Sequence, residues 1–201
     1  MTIKPKRAEL REACIKEAYQ IVEDAGVEKL SLREVARRLG ISHQAPYRHF
    51  ASRDHILAEI IARSFEEFSN YLSERAANPS PHEDLKEMGL HYLNYAKLHP
   101  LKYRLMFNTP MPDPKLHPQM ISKAQHAFSI LTDRLESAPL RSIGPLLEQS
   151  ANLEALFVWS LLHGVASILQ SDILPSLKLT AAEKRLAITY CFARLGQALQ
   201  P

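Results

Sequence analysis

The chain has 201 residues, of which 46% are hydrophobic and 23% are charged, so it is globular rather than disordered and long enough to bury a core. Six glycines against thirteen prolines, with few runs rich in Val, Ile or Thr, argue against an all-β fold. Cys14 and Cys191 form no C-x-x-C pair and no disulfide framework. The N-terminus is polar and basic, and the apolar stretch 155–169 is too short for a bilayer span. We therefore expect a cytoplasmic protein that has no signal peptide and does not interact with membranes.

The net charge of +3 is concentrated in one short segment. Residues 31–53 contain five arginines and one acidic residue, Glu34, which gives the segment a charge of +4. The residues before it are balanced, and those after it carry −1. A local arginine cluster on a near-neutral protein favours a phosphate-facing surface, although a solvated helix face gives the same pattern.

Apolar residues recur at helical spacing almost throughout, which predicts an all-α fold of about nine helices. The first predicted helix covers residues 6–25. Ser31 has the position of an N-cap for the second helix, and Glu34 stands three residues later at capping-box spacing. Ser42 is predicted to cap a third, short helix over residues 43–50, in whose first turn Pro46 is tolerable.

Ser52 is predicted to cap a long fourth helix that reaches to about residue 77 and is broken by residues 78–81. The remaining predicted helices cover residues 82–98, 101–107, about 115–136, about 146–171 and about 180–198. Proline-rich breaks fall at residues 108–114 and 139–145. We place the domain boundary near residue 54, which divides the chain into a helix-turn-helix domain, 1–53, and a second helical domain, 54–201.

Residues 31–50 have the pattern of a helix-turn-helix with the turn at residues 40–42. Gly40 lets the two helices cross steeply, and Ile41 supplies the apolar residue that fills the corner. The second helix must present polar groups at its N-terminal end, because that end enters the major groove of DNA. Four side chains supply such groups there: His43, Gln44, Arg48 and His49.

The segment SLREVARRLGISHQAPYRHFASRDHIL, residues 31–57, resembles the DNA-binding domain of the TetR repressors. Its Y-x-H-F element at residues 47–50, followed by a basic residue at position 53, is specific to that family. The resemblance implies double-stranded DNA as the partner. Tyr47, His49 and Arg53 would contact phosphates, Arg33 a phosphate or a base edge, and His43, Gln44 and Arg48 the major groove. With the two hydroxyl caps, the expected DNA-binding set is Ser31, Arg33, Ser42, His43, Gln44, Tyr47, Arg48, His49 and Arg53.

The sequence departs from the family pattern at two of these positions. Arg53 stands where the family usually has lysine, and we expect the guanidinium to keep the phosphate contact. Pro46 stands where leucine is usual, and it leaves the register of the neighbouring side chains open.

The resemblance also implies that the C-terminal domain binds a ligand and dimerises. The W-x-x-x-H-G element, Trp159–Gly164, resembles that of one subgroup of the family. The last two predicted helices are apolar on two sides, which favours a homodimer through a four-helix bundle over a single larger monomeric core. A small apolar or aromatic effector is expected. Four residues are candidates to bind it: Tyr92, Phe107, Trp159 and His163. The alternative is that these are ordinary core residues.

The expected function is that of a ligand-released repressor that binds a pseudo-palindromic operator as a homodimer. An activator, or a scaffold protein that has lost DNA contact, remains an alternative. The sequence contains no glycine-rich phosphate loop, nucleophile elbow or metal-spaced histidine pair. We therefore expect no catalytic residue, no cofactor and no metal.

Overall fold

The computed structural model describes residues 7–74, 78–137 and 150–199. Over these residues the chain forms eight α-helices, three short 3₁₀ helices and no strand, which confirms the all-α class. The helices are α1 Arg7–Ala25, α2 Leu32–Arg38, α3 Arg53–Ser73, α4 Pro81–Leu98, α5 Pro100–Phe107, α6 Pro118–Glu136, α7 Ala151–Gln170 and α8 Ala181–Leu199. The predicted start at residue 6, the end of the fourth helix at residues 75–77, the break at 139–145 and the helical residues 146–149 lie outside the described ranges.

The helix starts predicted from hydroxyl caps are confirmed at α2 and α3. The Ser31 Oγ accepts a hydrogen bond from the Glu34 amide at 3.1 Å, and the Ser52 Oγ accepts one from the His55 amide at 3.3 Å. The carboxylate of Glu34 instead accepts hydrogen bonds from Arg37 and Arg38. The N-cap of α2 is therefore formed, whereas the Glu34 side chain serves to hold two arginines.

The prediction of a third helix over residues 43–50 is wrong. Residues 43–45 form a turn, and Pro46–Arg48 form a 3₁₀ helix. Pro46 lies four residues after Ser42, where the amide would be the first to donate to the carbonyl of the capping residue. Proline has no amide hydrogen, so the carbonyl of Ser42 accepts from Ala45 at 3.0 Å instead. The predicted side-chain cap by Ser42 is also wrong, since the 3₁₀ helix has no side-chain cap.

The described residues fall into two compact units that do not follow chain order. The first contains the residues up to Glu66 together with 101–124, and the second contains 67–100 together with the residues from 125 onward. α3 continues across the division. The functional boundary that we place near residue 54 is a separate expectation and stays a prediction.

The first unit has a core built on the apolar stripe of α1. Cys14, Ala18, Ile21 and Val22 on that stripe are fully buried, and burial raises the pKa of the Cys14 thiol. α2 and α3 add their own apolar faces to this core, with Val35, Ala36, Ile56 and Ile61. The loop before α6 runs to residue 117, three residues further than predicted, because a residue that precedes a proline disfavours the helical conformation.

In the second unit, α4 packs against both α7 and α8. Glu154, Ala155, Val158, Leu162 and Ala166 are the buried residues of α7. α7 has 20 residues with a mean hydropathy of 1.4, and among the described helices it alone could cross a membrane by length and composition. The apolar stretch 155–169 covers only part of this helix, and a helix that buries one face on its neighbour is typical of a globular core.

Candidate nucleic-acid interface

Four of the residues predicted to bind DNA line one shallow groove on the first unit: Arg33, His43, Gln44 and Tyr47. α2 buries Leu32 and Val35, which leaves Arg33 on the exposed side of the helix. The turn that Pro46 enforces exposes His43 and Gln44, and 45% of Tyr47 is exposed. The chain thus brings a guanidinium, an imidazole, an amide and a phenol to one accessible surface.

The other predicted residues flank this groove along the chain. Arg48 and Ser42 are exposed, and His49 is half-buried with its ring centroid 6.3 Å from that of Phe50. Phe50 is buried, and the guanidinium of Arg11 lies 5.5 Å from its ring centroid. Phe50 therefore anchors the end of the 3₁₀ segment in the core, which fixes the exposed side chains before it.

Two arginines of the cationic segment are already paired within the protein. Arg37 donates two hydrogen bonds to Glu34, both of 2.7 Å. Arg38 donates to Asp24 of α1 at 2.7 Å and to Glu34 at 3.2 Å. Hydrogen bonds from Arg37, and then from Arg38, lower the pKa of Glu34 to about 2. The Arg38–Asp24 pair ties α2 to α1, whereas the Arg37–Glu34 pair lies within α2. Both cancel part of the local positive charge.

Arg33 and Arg48 differ from that pair. Neither forms an ion pair or a side-chain hydrogen bond with any residue in the described part of the chain. A guanidinium without a protein partner keeps its planar set of donors for a phosphate or a base edge. The arginine cluster therefore contains two cations that are available to a ligand.

Arg53 occupies a third kind of environment. Its Nε donates to the carbonyl of Leu30 at 3.1 Å, and a terminal nitrogen donates to the carbonyl of Val27 at 2.8 Å. The other terminal nitrogen lies 3.1 Å from a carboxylate oxygen of Asp54. The structure thus joins the first residue of α3 to the turn before α2, and the predicted phosphate contact of Arg53 stays a prediction.

Three of the four residues predicted to bind an effector lie together in the second unit. The Trp159 Nε1 donates to the Tyr92 hydroxyl at 3.2 Å, and the rings of Trp159 and His163 have centroids 6.2 Å apart. Burial lowers the pKa of His163, which favours its neutral form at pH 7. Phe107 belongs to the first unit, where its ring meets Phe65 edge-on at 5.7 Å.

The second unit also contains a cavity of about 390 Å³ between α4, α7 and α8, which sequence reasoning missed. Its walls are mostly apolar, and Gly89 of α4 lets the ring of Phe192 approach the backbone of that helix. His82 and Lys86 also line it. The available signal was the apolar stripe of α8, at positions 188, 192, 195 and 199, which requires a helix opposite it.

α7 and α8 each carry a second apolar face that no described residue covers. On α7 this face contains Leu153, Phe157 and Ile168, which are exposed and lie opposite the stripe that packs on α4. On α8 it contains Leu186 and Tyr190, opposite the buried Leu195 and Leu199. The sequence prediction of two-sided apolar helices is confirmed by this burial pattern.

Comparison with protein families identifies the chain. The model of bacterial regulatory proteins of the tetR family matches residues 15–60, and the model of tetracyclin repressor-like C-terminal domains matches residues 85–185. The chain belongs to the TetR family. It is a transcriptional regulator that binds DNA and is not an enzyme, as the sequence predicts.

Solved structures with low sequence identity share the fold of this TetR-family chain. A protein of unknown function from Rhodococcus sp. RHA1 is 21% identical, with a TM-score of 0.75 and 96% of each chain covered. A TetR-family regulatory protein from Rhodococcus RHA1 is 13% identical, with a TM-score of 0.67 over 95% of this chain and 97% of that one. The fatty acid degradation regulator FadR from Bacillus halodurans is 13% identical, with a TM-score of 0.62 over 98% and 95%. Comparison with curated protein sequences gave no match.

Proposed function

We propose that the protein is a cytoplasmic, ligand-released repressor that binds a pseudo-palindromic operator as a homodimer through residues 31–53. The observation that carries the proposal is the exposed groove that gathers Arg33, His43, Gln44 and Tyr47. Arg48 follows Tyr47 directly and has no side-chain partner in the described part of the chain. These side chains offer the mixture of donors and acceptors with which proteins read base edges and hold phosphates.

The roles within this surface follow from side-chain chemistry. His43, Gln44 and Arg48 would read base edges, since an amide and a guanidinium can each make two hydrogen bonds to one base. Tyr47 and His49 would donate to phosphates and so set the position of the protein on the duplex. Arg33 would contact either a base edge or a phosphate. Ser42 would form a hydrogen bond to a phosphate from the edge of the protein groove. Ser31 contributes by capping α2.

The direct test is selection of bound fragments from random duplex DNA, followed by anisotropy titrations with variants. Tyr47→Ala should weaken binding to all sequences to a similar extent, whereas Gln44→Ala should relax discrimination at one base position by roughly 1–3 kcal/mol. Arg48→Met should weaken binding more than its matched control Arg37→Met, because Arg37 already has Glu34 as its partner. Full affinity in all three test variants would contradict the proposal.

The dimer is proposed to form through the uncovered faces of α7 and α8. A two-fold pair of these helices makes a four-helix bundle, and Gly164 on the α7 face leaves open space where a side chain would stand. Such a dimer would present two copies of residues 31–53 to DNA, and this accounts for the expected pseudo-palindromic operator.

Leu153→Glu tests this interface, with Leu116→Glu as the matched control. Both leucines are exposed, by 58% and 67%, but Leu116 lies in the first unit. Sedimentation equilibrium should give twice the 22.8 kDa chain mass for the wild type and the control, and a shift toward 22.8 kDa for Leu153→Glu. A wild-type protein that stays at 22.8 kDa at micromolar concentration would exclude the dimer.

The effector is proposed to be a small apolar or aromatic molecule that binds the second unit. The apolar cavity between α4, α7 and α8 has the size and lining of a small-molecule pocket. The cluster of aromatic side chains formed by Tyr92, Trp159 and His163 is a second candidate site for such a molecule. The contact predicted for Phe107 stays a prediction. Release would follow if the ligand binds better to a conformation that fits the operator poorly.

Trp159 is the sole tryptophan of the chain and therefore reports on this unit directly. A compound that lowers operator affinity should change the fluorescence of Trp159, and Phe192→Trp should report on the cavity when placed in a Trp159→Phe background. The two tryptophans are compared in separate titrations, and the one whose fluorescence changes at the lower compound concentration lies at the site. If no compound in a broad apolar and aromatic set alters DNA affinity, the protein is a constitutive binder.

A further inference from the structure

The side chain of Arg53 bridges two parts of the DNA-binding region that are far apart in sequence. Its two hydrogen bonds to the carbonyls of Val27 and Leu30, of 2.8 and 3.1 Å, span 26 and 23 residues. Both acceptors belong to the short turn between α1 and α2, whereas Arg53 opens α3. The side chain is 39% exposed, so it lies partly along the protein surface rather than projecting freely from it.

The turn that Arg53 bonds has a single buried side chain of its own, that of Leu30. Its 3₁₀ helix, Val27–Lys29, contains no buried residue, and it follows Gly26, whose φ of 86° places it in the left-handed region. Leu30 is buried, and its amide donates to the carbonyl of Val27 at 3.1 Å. The next residue is Ser31, which caps α2, so a shift of the turn would move the start of α2.

A movement of α2 would reach the proposed DNA-binding groove directly. Arg33 is the second residue of α2 and lines that groove together with Gln44 and Tyr47. The carbonyls of Val27 and Leu30 therefore lie only a few residues before a side chain that we propose to contact DNA. Two donors on one rigid guanidinium plane are well suited to fix such a turn.

We propose that Arg53 is a positioning residue for DNA binding: it holds the 27–30 turn, and through it α2 and Arg33, rather than neutralising a phosphate. The inference rests on the proposed DNA-binding function and revises the role that the resemblance implies for this position. It also explains why arginine stands where lysine is usual in the family, because one ammonium group cannot reproduce the planar pair of hydrogen bonds.

Salt dependence separates a positioning role from a phosphate contact. Each phosphate contact contributes about 0.9 to the slope of log K against log salt concentration, because it releases counterions. We expect Arg53→Met to lower operator affinity roughly tenfold, as loss of one well-placed contact does. The slope should stay nearly unchanged, because Arg33 keeps its charge beside the duplex even when α2 shifts. The control Arg48→Met removes a cation that we propose to enter the major groove. It should reduce the slope by up to about 0.9 per bound subunit, because a guanidinium held against the duplex displaces counterions whether it bonds a phosphate or a base edge.

Arg53→Lys and hydrogen exchange complete the test. Lysine keeps the charge, so it should restore binding if Arg53 contacts a phosphate and fail to restore it if Arg53 positions the turn. In the DNA-free protein, the Leu30 amide should exchange faster in Arg53→Met and Arg53→Lys than in the wild type or Arg48→Met. A phosphate contact alone would leave that exchange rate unchanged.

The outcomes distinguish this inference from the proposed function. If Arg53→Met reduces the slope as Arg48→Met does, if Arg53→Lys restores full affinity, or if Arg53→Met binds as tightly as the wild type, the positioning role is wrong. In each of those cases the wild type still binds its operator and the proposed function stands. If the wild-type protein binds no duplex at low salt, the proposed function itself fails.

Discussion

The contact between Gly89 and Phe192 gives the sharpest stability prediction. A methyl group added at Gly89 would lie 2.5 Å and 2.8 Å from two ring carbons of Phe192. Nonbonded carbon atoms prefer separations of about 3.5–4.0 Å, so the ring, or α8 with it, must move by about 1 Å. Gly89→Ala therefore creates overpacking between α4 and α8.

Two opposing terms set the size of the effect. Overpacking costs about 1–3 kcal/mol, and the lower part of that range applies here because the half-buried ring borders the cavity and can move. Alanine is better than glycine inside a helix by about 1 kcal/mol. We expect Gly89→Ala to destabilise the wild type by up to about 1 kcal/mol. Phe192→Leu removes the two ring carbons in question, so in that background the same substitution should stabilise the protein by up to about 1 kcal/mol.

Urea unfolding of the four proteins, followed by circular dichroism at one fixed protein concentration, measures this reversal of sign. The fixed concentration matters because the stability of a dimer depends on it. The midpoint should fall for Gly89→Ala alone and rise for Gly89→Ala in Phe192→Leu, with a coupling of up to about 2 kcal/mol. Equal effects in both backgrounds would show that the ring does not press on this glycine.

Three further predictions concern hydrogen bonding, pH and thiol reactivity. Trp159→Phe removes the donor to the Tyr92 hydroxyl and should lower the free energy of unfolding by about 1 kcal/mol, with no further loss on adding Tyr92→Phe if the pair acts as a unit. The hydrogen bond from Arg38 lowers the pKa of Asp24, so its stabilisation is present above the ordinary carboxyl pKa and is lost as the pH falls through the lowered value. The stability difference between the wild type and Arg38→Met should therefore shrink between pH 6 and pH 2, and a constant difference would contradict this. Burial raises the pKa of the Cys14 thiol, so Cys14 should not react with a thiol reagent in the native protein at a pH where Cys191, which is half-buried, does react.

Local signals in the sequence were sufficient for most helix boundaries. Ser31 and Ser52 cap helices as predicted, because a hydroxyl acceptor two or three residues before an unpaired amide needs no tertiary partner. Gly26 and Gly40 both have positive φ, at the ends of the first two predicted helices. The failure at residues 43–50 has a local cause as well, since Pro46 falls one position beyond the turn in which its missing amide is harmless.

Partners that are distant in sequence could not be predicted in the same way. The bond between Trp159 and Tyr92 joins residues 67 positions apart, and the separate placement of Phe107 depends on how α5 groups with the first unit. Aromatic composition alone marks all four residues as candidates. It contains no information about which of them meet, because that is decided by helix packing.

The arginines of residues 31–53 show why local charge is an incomplete guide to a binding surface. Counted by sequence, the five are equivalent cations. In the structure, Arg37 and Arg38 neutralise carboxylates, Arg53 bonds backbone carbonyls, and Arg33 and Arg48 have no partner in the described ranges. Arg38 holds α2 on α1 through Asp24, Arg37 pairs with Glu34 inside α2, and Arg53 bonds the turn before α2. These three arginines therefore hold the backbone that carries Arg33 and Arg48. Within the described ranges the segment therefore offers two guanidinium groups to a ligand rather than five. Our proposal for DNA binding depends on where the backbone places these two groups, because discrimination between base pairs depends on geometry.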